Sequence, residues 1–145
     1  MGEKKETLRE AKAYGKICLS QELLKMIKDD QVPKGNVFEQ SRLAAIMAAK
    51  RAPELIPLCH PLRITSVKID FRFVDGGIEV ESNVSAFDRT GVELEALCAV
   101  TVACLNIYDM CKKFDRGMEI KNIRLLEKRG GASGEYSCAC HREPV

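Results

Sequence analysis

The stretch ITSVKIDFRFVDGGIEVESNV, residues 64–84, decides the fold. Val67, Ile69, Phe71 and Phe73 alternate with Ser66, Lys68, Asp70 and Arg72, the period-two pattern of a strand with one face buried and one face wet. Asp75-Gly76-Gly77 then turns the chain, and Ile78, Val80, Ser82 and Val84 resume the alternation. The segment reads as an antiparallel hairpin. Two helical patterns precede it. Ser20 is placed to cap a short helix carrying Leu23, Leu24, Met26 and Ile27, closed by a turn at Pro33-Lys34-Gly35. Asn36 is placed to cap a second helix through Leu43, Ile46 and Met47, expected to end near Arg51, just ahead of Pro53. After the hairpin, Thr90 is expected to cap a long helix from about Gly91 to Lys113, apolar around its whole circumference in the middle. Ile120, Ile123, Leu125 and Leu126 suggest a last strand, and Thr7 to Leu19 a first. The resulting order is β, α, α, β, β, α, β, the split βαβ plan. It predicts an α+β, ferredoxin-like antiparallel sheet with helices packed on one face.

Composition narrows the class. A chain of 145 residues suffices for one core, and residues 1–136 are expected to form a single domain with 137–145 as a cysteine-containing tail. Hydrophobic residues at 46% and charged residues at 30% argue against disorder. The most apolar run, Ala96–Leu105, is broken by Asn106 and Asp109 and reads as a core helix, with no membrane association expected. The charged N-terminus lacks an apolar secretory signal, and seven scattered cysteines do not make a disulfide framework, so a reducing cytoplasm is expected. A net charge of +2, without a basic stripe or an aromatic pair of the RNA-binding type, gives no support to nucleic-acid binding. Locally, residues 109–129 hold seven Lys and Arg against four Asp and Glu, suited to an anionic ligand.

Five clusters carry ionisable residues where structure alone does not ask for them. Leu58-Cys59-His60 lies between Pro57 and Pro61, which stiffen the backbone and hold the imidazole in one orientation. The plainer reading is a structural histidine beside an inert buried thiol. Glu93 and Glu95 flank Leu94 in the first turn of the long helix, where acids complement the macrodipole. Alternatively, an ionised carboxylate there accepts from the N–H edge of a guanine-like base. Asp109, near the helix C-terminus, faces the wrong end of that dipole, and Lys112 is one turn away. A salt bridge accounts for the pair; an acid-base unit is the sharper reading. Lys34 beside Gly35, and Lys128 before Gly130 and Gly131, suit phosphate oxygens, although solvated basic turns are commoner. Cys138-Ala139-Cys140-His141 falls outside the usual zinc spacing, and no metal site is assigned there.

In order, KGNVF followed by Arg42, then AAKR, LIPLCHPL, TGVELEAL, IYDMCK and RLLEKRGGASGE closely resemble the cyclic pyranopterin monophosphate synthase family, from about Thr7 to Glu135. The resemblance implies conversion of 3′,8-cyclo-7,8-dihydroguanosine triphosphate to cyclic pyranopterin monophosphate and diphosphate, a lyase step in molybdenum cofactor biosynthesis. It further implies a homohexamer, a trimer of dimers, with sites at subunit interfaces, and a functional link to a radical SAM GTP cyclase. Carried over, it implies substrate contacts at Leu58, Cys59, His60, Leu94, Glu95, Glu93, Lys128 and Arg42. Catalytic roles fall to Asp109, Lys112, Lys34 and His60, with no bound cofactor. Two departures stand out: Met1–Glu6 replaces a longer leader ending in Asp-Val-Ser, and Ala132 replaces a polar residue. The competing class is a non-catalytic nucleotide-binding module, since ferredoxin-like folds host many tasks.

Overall fold

The computed structural model of the chain describes residues 5–130 and 135–138. Its elements run β1 (Thr7–Cys18), α1 (Gln21–Lys28), α2 (Val37–Lys50), α3 (Ala52–Leu55), β2 (Ile64–Val74), β3 (Gly77–Asp88), α4 (Glu93–Cys111), β4 (Glu119–Arg129) and β5 (Tyr136–Ser137). The strands form one antiparallel sheet ordered β2-β3-β1-β4-β5, with α2 and α4 packed together on one face. This is the ferredoxin-like plan that the hairpin and the flanking helices imply.

Local chemistry explains most boundaries. The Ser20 hydroxyl accepts from the Leu23 amide at 3.2 Å and the Asn36 side chain from the Glu39 amide at 2.9 Å, each satisfying a first-turn donor that has no helical partner. At the start of α4 the expectation fails. Val92 occupies the N-cap position, no side chain caps the helix, and Thr90 lies two residues outside it. Instead the Glu95 carboxylate turns back to accept its own amide. Pro53, which closes the way for α2, starts the single turn α3, as proline does at a helix N-terminus.

Helix α4 is 19 residues long and apolar enough to cross a membrane by length and composition, yet here it is the core helix of the domain. Ala96, Ala99, Val100, Ala103, Cys104 and Ile107 are fully buried. Small residues let it lie close to the sheet: a Cβ on Gly15 of β1 would come within 2.6 Å of Ile123 and 3.5 Å of the Cys104 sulfur. Two polar pins fix its rotation. The Ser82 hydroxyl of β3 donates to the Ala96 carbonyl at 2.8 Å, and the Asn106 amide donates to Ser41 of α2 at 3.0 Å. With the helix roll fixed, Glu93 and Glu95 are held at one end of the sheet and Asp109 at the other.

The other sheet face is polar but not wholly wet. Tyr14 donates to Glu79, Arg72 pairs with the same carboxylate, and the Arg124 guanidinium lies 4.4 Å from the Tyr14 ring centroid. Burial and the adjacent Glu79 push the Tyr14 hydroxyl far up. A tyrosine so held stays protonated and serves as a donor.

Candidate active site

The residues singled out in the sequence gather in two places. The first is at the N-terminal end of α4. The loop after α3 brings Leu58, Cys59, His60 and Leu62 against Thr90, Gly91, Glu93, Leu94 and Glu95, and the two walls enclose a hollow of about 120 Å³. Larger hollows of about 260 and 420 Å³ lie on the polar sheet face and beside α1, and neither is lined by any of the sequence-selected residues. Glu95 is 2% exposed, and burial raises its carboxyl pKa above the usual range. Its Oε2 lies 3.5 Å from the Cys59 sulfur. The thiol, pushed up to about 11 by burial and by the neighbouring carboxylate, is a donor rather than a nucleophile at neutral pH. Glu93 reaches Lys128 at the end of β4, Oε2 to Nζ 3.6 Å, while its Oε1 is buried with no hydrogen-bond partner among the described residues. A Cβ at residue 91 would meet the Glu93 carboxyl group, so a larger residue there would make that side chain move. Leu58, 89% exposed, and the exposed His60 stand over the hollow.

The second place is at the other end of the same helix. Lys112 donates to Asp109 Oδ1 at 3.0 Å; Lys34, on the loop between α1 and α2, donates to the Asp109 main-chain carbonyl at 3.2 Å and approaches Oδ2 at 3.9 Å. The two ammonium groups offset the unfavourable dipole and hold the carboxyl below its usual range, Lys112 contributing more. All three side chains are about half exposed or more. Thus an ionised carboxylate lies between two cations on an open surface, a unit suited to proton transfer beside an anion.

Asp109 follows Glu93 by sixteen steps along α4, about 24 Å at 1.5 Å per residue. The two sets therefore lie at opposite ends of the helix within one chain. Arg42 joins neither: it donates to the Ile69 carbonyl at 3.3 Å and lies over the Phe71 ring. Residues 131–134 of the glycine-rich loop, and Cys140 and His141 of the tail, lie outside the described residues. Cys138 is buried, and its amide donates to Leu126 at 2.7 Å.

A family model described as "MoaC family" matches residues 1–131. The chain belongs to the MoaC family. Relatives named cyclic pyranopterin monophosphate synthase share 49% identity over 140 residues in Roseiflexus castenholzii, covering 95% of this chain and 89% of that protein. In Novosphingobium aromaticivorans the identity is 52% over 139 residues, covering 96% of this chain and 88% of the other. A Parvibaculum lavamentivorans relative of the same name is 52% identical over 132 residues, covering 90% and 82%. All the residues of both clusters fall within the MoaC match.

Proposed function

We propose that this MoaC-family chain is a cyclic pyranopterin monophosphate synthase acting on 3′,8-cyclo-7,8-dihydroguanosine triphosphate, the GTP-derived product of a radical SAM cyclase, in the cytoplasm. The observation that supports this most is identity near half, over about nine-tenths of the chain, to relatives of that name. In this reading the hollow at the N-terminal end of α4 takes the purine-derived part. Glu95 and Glu93 offer acceptors to its N–H groups, Cys59 and His60 offer donors, and Leu58 and Leu94 cover the apolar faces. Lys34, Lys112 and Lys128 neutralise the triphosphate. Asp109 moves protons as one ring opens and the pterin closes. A substrate alkoxide then attacks the α-phosphorus, the bond to the β-phosphate bridging oxygen breaks, and diphosphate leaves carrying the electron pair. No step is assigned to a resident cofactor.

The distance along α4 supports a site completed by a second copy. Leu94, Leu105 and Tyr108 are exposed on α4, with the half-buried Cys98 and Thr101 between them. They recur at alternating steps of four and three, the seam of a helix that packs against another helix. Two chains meeting antiparallel along this seam would bring Glu93 and His60 of one beside Asp109 and Lys112 of the other. The site would then be complete only in the oligomer, a hexamer built as a trimer of dimers. Residues 1–136 would form the catalytic domain and 137–145 its tail. Incubation of the purified chain with the cyclised GTP intermediate tests the activity: diphosphate release at a catalytic rate supports it. Stoichiometric binding without turnover favours the nucleotide-binding module.

A further inference from the structure

The two walls of the hollow come from different parts of the chain, and one side chain joins them. Asp88, the last residue of β3, accepts from the Arg63 amide through Oδ2 at 2.9 Å and from the Arg89 amide through Oδ1 at 2.8 Å. Arg63 follows the Leu58–Leu62 wall directly, and Arg89 opens the segment leading to Thr90, Gly91 and Glu93. The sheet ladder is irregular at this corner: the β2–β3 register slips between Ile64 and Ser66, and beyond the paired residues a 3.3 Å bond from the Phe87 amide to the Arg63 carbonyl continues it. From beneath, Arg9 of β1, 5% exposed, donates through Nε to the Asp88 carbonyl at 3.2 Å and through Nη2 to the Arg89 carbonyl at 2.9 Å. A buried guanidinium spanning two consecutive carbonyls fixes the backbone that presents the Asp88 carboxylate.

We infer that Asp88, seated on Arg9, is a positioning residue that sets the gap between the His60 wall and the Glu93–Glu95 wall, and hence the fit of the purine-derived part of the substrate. This rests on the proposed synthase activity. Asp88 touches no reacting atom in that account, and the backbone it holds carries the two walls of the hollow, whereas the proton-transfer unit comes from α4 of the second copy. The expected signature is therefore a change in substrate binding with turnover nearly unchanged.

Asp88→Asn keeps the side chain's shape but turns one acceptor oxygen into an amide NH2, a donor that confronts a backbone N–H. Loss of a charge-assisted bond there is expected to raise KM about tenfold while kcat stays within about threefold. In the same folded protein, amides of residues 60–65 and 89–95 are expected to exchange with deuterium faster, and those of β1 and β4 to keep their rates. Asp88→Glu retains the charge but displaces its oxygens by a methylene, so it should raise KM as well, and it decides the matter if the Asn variant does not fold. Unchanged KM and unchanged exchange in either folded variant overturn the inference, as does a fall in kcat at constant KM. If the unmodified chain releases no diphosphate, the activity reading fails separately, and the exchange rates alone decide whether Asp88 holds the walls.

Discussion

The two ends of helix α4 present opposite solutions to placing a carboxylate. At the N-terminal end Glu95 is buried, its carboxyl raised by desolvation and shared with a thiol; at the C-terminal end Asp109 is open to solvent and lowered by two lysines. A helix dipole acting alone would do the reverse, favouring the anion at the first end and disfavouring it at the second. Packing and specific partners therefore outweigh the dipole at both ends. The difference suits a division of labour in which the buried end recognises and the open end reacts.

The largest effect is expected at the open end. Asp109→Asn removes the ionisable group at an exposed position, so the fold should survive while diphosphate release falls by about 10²- to 10⁴-fold. Calorimetric binding of the substrate should change far less than turnover. Lys112→Ala is expected to cost a similar amount, and the double variant little more than either single one, because groups acting as a unit lose their function together. Additive losses would separate Asp109 and Lys112 into independent roles.

At the buried end the expected effect is on stability and its pH dependence. A carboxyl whose folded pKa is raised binds protons more readily when folded. Its contribution is therefore full below the usual carboxylate range and is lost as pH rises from there through the raised folded value. Glu95→Gln should remove that decline: relative to the unmodified protein, the variant gains stability as pH rises above the usual carboxylate range, read by urea denaturation. A parallel pH profile in the two proteins would show that Glu95 ionises in the fold without penalty. The smallest effect concerns Cys59. With its thiol near 11, alkylation by iodoacetamide at pH 8 should be slower than that of a free cysteine, as followed by peptide mass spectrometry.

Much of the fold follows from short-range signals. Ser20 and Asn36 announce α1 and α2 because an N-cap side chain bonds only three residues ahead. The Asp75-Gly76-Gly77 turn sets the β2–β3 pairing locally, with Gly76 at φ +76°. Thr90 resembles a cap in sequence but is not one, because Glu95 satisfies its own amide and the helix begins after Val92. Long-range partners left no local trace. Tyr14 and Glu79 are 65 residues apart, Arg9 and the carbonyl of Arg89 are 80 apart, and no periodicity marks such pairs. Asp88 lies beside the Thr90-Gly91-Val92-Glu93 motif, and its adjacency was the available signal. The β5 strand, two residues long, is below the length at which alternation is visible. The site was legible as residues but not as an assembly. Their separation was nevertheless implicit once Glu93 and Asp109 were placed on one continuous helix.

That separation makes the shared site the central claim, and complementation tests it most directly. Asp109→Asn damages the open end and His60→Ala the other, at two exposed positions where folding is not at risk. The two variants would be mixed in equal amounts, dissociated and reassembled, and assayed for diphosphate release. If each site combines the two ends from different copies, half the random dimers are mixed and one of their two sites is intact, so about a quarter of the unmodified activity should return. Activity no greater than the average of the two variants assayed separately would contradict the account and place both ends of the site within a single chain.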